Sequence, residues 1–137
     1  MMSIRNDIRL ACAAVCGLTG AFVQADDQHL VSPADMRETV TVENVRVDGT
    51  QVTGTIVNNT SRHLANPQFV VRHNWIWANE YRPGPDSPGW ADFATVPQTL
   101  EPHQRADFSV QASRAAPERD DGHIVTWANV LEVVASK

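Results

Sequence analysis

The sequence predicts an all-β fold built from antiparallel strands. Three observations predict it. From Thr39 onward, β-branched and aromatic residues recur at spacing two. Turn-forming clusters such as Asp48-Gly49 and Asn58-Asn59-Thr60-Ser61 separate these runs. No stretch after residue 25 shows the 3.6-residue apolar period of a helix.

The chain opens with a different texture. Arg5 and Arg9 precede the apolar, small-residue run Leu10–Val23, and Val23-Gln24-Ala25 offers small residues before Asp26-Asp27. This is the charged, apolar and cleavage pattern of a secretory signal, with cleavage expected after Ala25. The apolar run is too short to span a bilayer, which takes about 20 residues. The expected compartment is the periplasm or the exterior. The alternative is a lipoprotein anchored through Cys16, which β-branched Val15 fits poorly.

Cys12 and Cys16, the two cysteines of the chain, lie inside that signal. The mature protein therefore has no disulfide, no thiol nucleophile and no cysteine metal site. Residues 26–137 suit one domain with a core of its own. The net charge of −5 and the scattered arginines argue against nucleic acid and anionic lipid as partners. No membrane span is expected.

Residues 26–38 are polar and contain Pro33, reading as an N-terminal arm ahead of a domain over 39–137. The first strand carries Val40 and Val42 on one face and Val45 and Val47 on the other. That parity switch at Glu43-Asn44 predicts a bulge. Asp48-Gly49 predicts a tight hairpin leading into a strand over 51–58. Asn58–Ser61 holds two Asn-x-Ser/Thr sequons, but turn chemistry explains these residues.

The longest strand is expected over 68–79. Phe69, Val71, His73, Trp75 and Trp77 share its heavier, inward face; Val70, Arg72, Asn74, Ile76 and Ala78 share the other. Residues 80–90 carry three prolines and two glycines and read as a loop. Short strands follow at 90–95 and 98–100, then an alternating run with Ala106, Phe108 and Val110. A charged loop over 112–122 precedes a last β-rich run at 123–134. About seven strands in antiparallel pairing favour an immunoglobulin-like β-sandwich lacking the disulfide, with a small closed barrel as the alternative.

Gly54-Thr55-Ile56-Val57-Asn58-Asn59, a long strand ending in aromatics, a Pro/Gly loop, Leu100-Glu101-Pro102 and Phe108-Ser109-Val110 follow one another over residues 40–111. This order resembles small bacterial envelope domains, the FxLYD and YcfL-like groups. Trp75-Ile76-Trp77-Ala78-Asn79 stands where the FxLYD signature would be. The resemblance implies an immunoglobulin-like sandwich in the envelope and supplies no catalytic residue.

Four aromatics, Trp75, Trp77, Tyr81 and Trp90, fall within sixteen residues. Trp75 and Trp77 keep phase with the inward row, which favours packing. Tyr81 and Trp90 flank the loop without such support. Trp77, Tyr81, Arg82 and Trp90 are thus the candidate binding residues, on a loop presented by a rigid sandwich.

The histidines His29, His63, His73, His103 and His123 show no ligand spacing, so no metal or other cofactor is expected. No nucleophile elbow, phosphate loop or HExxH motif appears, and no catalytic residue is assigned. The expected function is non-enzymatic binding or scaffolding, for a protein partner of the envelope. A carbohydrate- or peptidoglycan-binding module using exposed aromatics is the alternative.

Overall fold

The protein's structure is a computed structural model that describes residues 27–79 and 86–137. The predicted signal, both cysteines, and Tyr81 and Arg82 of the loop lie outside the described residues.

Nine elements follow in order: β1 (His29–Leu30), α1 (Met36–Thr39), β2 (Val40–Asp48), β3 (Gln51–Asn58), β4 (His63–Trp77), β5 (Trp90–Thr95), β6 (Thr99–Leu100), β7 (Arg105–Gln111) and β8 (Gly122–Ser136). One sheet has the order β2-β3-β7. The other runs β1-β8-β4-β5, with β6 also on β4. All pairings are antiparallel. The result is an all-β sandwich without a disulfide, as the alternation implied.

The core lies between the two sheets. Val52, Ile56, Phe69, Val71, Trp75, Phe108 and Val110 are all buried, as their spacing in separate strands predicts. At its centre the Phe69 ring, from one sheet, stacks on Phe108 from the other, centroids 4.3 Å apart. Gly54 is the cross-strand partner of Phe108. A Cβ on Gly54 would stand 2.8 Å from two Phe108 ring carbons, so the missing side chain is what lets the ring lie flat. Each such residue, fully buried, contributes about 1.5–3 kcal/mol.

The hairpin and bulge stand where the sequence places them. Asp48 pairs with Gln51 around Gly49, whose φ of +59° suits glycine. The β2–β3 register slips between Glu43 and Arg46, and Asn44 takes a φ of +54°. Asparagine tolerates that region better than most residues. The slip lets Val40, Val42 and Val45 all pack against the core, while Val47 near the hairpin tip is exposed.

The largest differences from expectation are the start of β4 and the seat of the arm. β4 starts at His63, five residues earlier than expected, because the strand continues through an irregularity at Asn66 (φ +51°) and Pro67. The polar arm is docked. β1 pairs with the end of β8, Val31 N–H donates to the Val133 carbonyl at 3.1 Å, and Met36 of α1 is buried.

Buried Asn58 ties the loops at the arm end of the sandwich. Its Nδ2 donates to the carbonyls of Arg62 (2.7 Å) and Glu101 (2.9 Å), and its Oδ1 accepts from the Thr60 amide (2.9 Å) and hydroxyl (2.8 Å). Every hydrogen-bonding position of this amide is used on the chain's own groups.

Candidate functional site

The C-terminal half of β4 carries its aromatics to one end of the sandwich. Trp75 is buried and Trp77 half-buried, their rings edge to face with centroids 6.0 Å apart. The Arg119 guanidinium lies 5.4 Å from the Trp75 ring and 5.3 Å from that of Trp77. Arg119 is itself held by Asp121, whose Oδ1 accepts from its Nε at 2.9 Å.

Trp90 opens β5 and is the register partner of His73. The two rings stack at 4.2 Å, nearly parallel, and Arg114 sits 4.5 Å from the Trp90 ring centroid. Trp90 Nε1–H donates to Asp92 Oδ2 at 2.8 Å, and the Ser113 amide donates to the same oxygen at 3.1 Å. Trp90 is thus bound into the framework, and the aromatic at the loop edge serves packing as well as surface. Trp77 and Trp90 belong to one end of the sandwich; Tyr81 and Arg82 fall between them in sequence, outside the described residues.

His73 is the buried imidazole of this cluster. Its Nδ1 stands 2.8 Å from the Thr126 hydroxyl and its Nε2 3.4 Å from Asp92 Oδ2. At that distance Nε2 forms no regular hydrogen bond. Burial pushes the pKa of His73 below its ordinary value. The nearby Asp92 carboxylate offsets part of this, chiefly by its charge, and the charge of Arg114 adds to the lowering. For Asp92 burial acts upward, yet hydrogen bonds from the Ser113 side chain and amide and from Trp90, with the charge of His73, hold it below the ordinary carboxylate value. Threonine, imidazole and carboxylate stand in relay order, but His73 is only 2% exposed. Here the trio fastens β4, β5, β8 and the loop after β7 to one another.

The remaining histidines are dispersed. His29 meets Arg62, His63 lies 3.1 Å from Glu101, and His103 has a φ of +59° beside the turn. Among the described residues no three His, Cys, Asp or Glu side chains gather as a metal set. None of the described helices is long and apolar enough to cross a membrane.

A second surface was not singled out by the sequence. The outward face of the β8-β4-β5 sheet carries Ile76 (45% exposed), Phe93 (66%), Val125 (39%) and Trp127 (48%), with Leu131 at the slip in β8. The register assembles them in rows: Phe93, Val70 and Asn129; then Ala91, Arg72 and Trp127; then Asn74 beside Val125; then Ile76 beside His123. Val70 faces outward yet is 3% exposed, so its neighbours close over it. The one signal in the sequence is that β8 is apolar at both parities, with Ile124, Ala128 and Val130 inward and Val125, Trp127 and Leu131 outward. A strand covered on one side needs only one such row.

A scan against protein-family models found no match for this chain, and searches of curated proteins and of solved structures found none either.

Proposed function

We propose that this chain is an exported, non-enzymatic β-sandwich that binds a protein partner in the cell envelope. The observation that carries the reading is the outward face of β8, β4 and β5, where Phe93, Trp127, Ile76 and Val125 leave apolar area in water. Contiguous apolar patches of this kind mark interaction sites on folded domains. Aromatic residues in them supply large contact area at small entropic cost. The motif order over residues 40–111, which resembles FxLYD and YcfL-like envelope domains, agrees with this compartment and with the sandwich fold. The export pattern of residues 1–25 supports it too. Trp77 and Trp90, at the end of the same sheet, together with Tyr81 and Arg82, which fall between them in sequence, form a second contact region in this proposal.

The glycan-binding alternative draws on Trp127, an exposed indole on a flat sheet. Sugar platforms flank such a ring with hydrogen-bonding side chains. Arg72 and Asn129 are the polar side chains beside this ring, but the same face also exposes Val125, Phe93 and Leu131, and that apolar area favours the protein partner.

The test is site-specific photo-cross-linking from position 125 in an envelope preparation, comparing wild type with the Phe93→Ser/Trp127→Ser double variant. Both positions are exposed, so the variant should stay within about 1 kcal/mol of wild-type stability. Loss of a discrete cross-linked protein in the folded variant is the expected result. An unchanged cross-linking pattern refutes the reading.

A further inference from the structure

We infer that the outward face of the β8-β4-β5 sheet recognises a protein segment presenting one carboxylate between apolar side chains, with Arg72 as the anchor for the carboxylate. This rests on the protein-binding reading above and names the partner's chemistry.

Arg72 lies in the middle of the face. Its register partners are Trp127 on β8 and Ala91 on β5, and Phe93 is two residues beyond Ala91. The side chain is exposed, and no described residue forms an ion pair or hydrogen bond with it. Other arginines are engaged: Arg105 with Glu43 at 2.5 Å, Arg119 with Asp121, Arg114 with the Pro88 carbonyl. Arg37 and Arg46 also have no partner among the described residues, but neither lies on this face.

Among the described residues of β4, β5 and β8, the acid on this face is Glu132, opposite Gln68. Gln68 is four residues along β4 from Arg72, about 13 Å at strand rise. The centre of the face is therefore locally cationic on a chain of net charge −5.

The chemistry of a fitting partner follows from that placement. A purely apolar partner covering Phe93 and Trp127 would also cover Arg72 and leave its charge without a counter-ion, which costs several kcal/mol. A carboxylate removes that penalty and accepts two parallel N–H bonds from the guanidinium. Strands lie about 4.8 Å apart, so β5 and β8 flank β4 across about 10 Å. The partner accordingly sets apolar groups on both sides of its acid. Phosphate-rich polymers and anionic lipid also offer charge, but the chain's acidity repels them, and neither fills the apolar flanks.

The test uses fluorescein-labelled eleven-residue peptides of alternating apolar and polar residues with a central Glu, Gln or Lys. Binding to the purified protein is read by fluorescence anisotropy. Wild type should bind the Glu peptide at least about tenfold more tightly than the Gln peptide. Arg72→Gln should bring that ratio close to one, and Arg72→Glu should turn the preference toward the Lys peptide. Equal binding of the Glu and Gln peptides by wild type, or a ratio that survives Arg72→Gln, overturns the inference. So does the absence of any binding, or tighter binding of phosphatidylglycerol vesicles than of the Glu peptide. If both Glu and Gln peptides bind equally and are lost together in Phe93→Ser/Trp127→Ser, the carboxylate assignment fails while the apolar docking face stands. Failure of that face itself shows separately, as unchanged cross-linking in the same double variant.

Discussion

Asp92 Oδ2 and His73 Nε2 approach to 3.4 Å across the β4–β5 pair, both turned in toward the space between the sheets. The same carboxylate oxygen takes the Trp90 indole and the Ser113 amide, so one acid organises three elements around one imidazole.

Stability should therefore depend on pH through His73. Its folded pKa lies below the ordinary 6.5 because burial disfavours the imidazolium. The unfolded chain then takes up the proton first, so stability is full above pH 6.5 and falls as pH drops below it. Asp92, held below its ordinary 3.8, adds a second loss as pH falls below that value. Urea unfolding at several pH values between about 8 and 5 should show the first decline in wild type and a flatter profile in His73→Gln. Identical slopes would remove His73 as the cause.

Gly54→Ala should destabilise the protein by about 1–3 kcal/mol, the usual cost of overpacking. The added methyl meets the Phe108 ring at 2.8 Å and the Glu43 carbonyl at 3.0 Å. Combining it with Phe108→Leu, which removes the obstructing ring, should give a smaller total loss than the two single changes added together. A denaturation double-mutant cycle measures that coupling.

Asn58→Asp should be as damaging as Asn58→Ala, although it is nearly isosteric. The aspartate can still accept from Thr60, but it has no N–H for the carbonyls of Arg62 and Glu101. Each buried group left unpaired costs about 1–3 kcal/mol. A thermal melt showing Asn58→Asp close to wild type would contradict the role assigned to this amide.

Trp75→Ala should cost about 3–5 kcal/mol, as expected for a large buried ring. Trp75→Phe should cost much less. The indole N–H of Trp75 is buried without an acceptor among the described residues, so phenylalanine deletes an unsatisfied donor along with part of the ring. Equilibrium unfolding of the two variants side by side decides between a packing role and a polar one.

Much of the fold can be read from alternation. The inward row of β4 from Phe69 to Trp75 and the partners Val52, Ile56, Phe108 and Val110 keep period two and are buried, while Trp77 at the strand's end is half-buried. The early start of β4 is hidden because Pro67 and the positive φ of Asn66 look like strand breakers, whereas pairing with β8 carries the strand across them. The docked arm is hidden because Met36 is a lone apolar residue in a polar segment, and only its seat on the core gives it meaning. Trp90 opens β5 as the short strand expected over 90–95, but its stacking on His73 is hidden because the two are far apart in sequence and only the β4–β5 register pairs them. The outward face escapes notice for a different reason. Phe93, Arg72 and Trp127 are far apart in sequence, and only the register of three strands sets them side by side.

The pairing of β4 with β8 also governs how the chain can mature. His63 pairs with Ser136 and Trp77 with Gly122, so the central seam of one sheet waits for β8, which follows every other described strand in chain order. Until β8 emerges, β4 has β5 and β6 beside it but keeps one edge open, and the β2-β3-β7 sheet faces an incomplete partner. Vectorial synthesis offers this chain no native-like waypoint, and its non-local pairings place it among slow folders, on the order of milliseconds to seconds. A ribosome-bound fragment ending near residue 121 should accordingly be sensitive to protease throughout, and protection should arrive in one step once β8 is free.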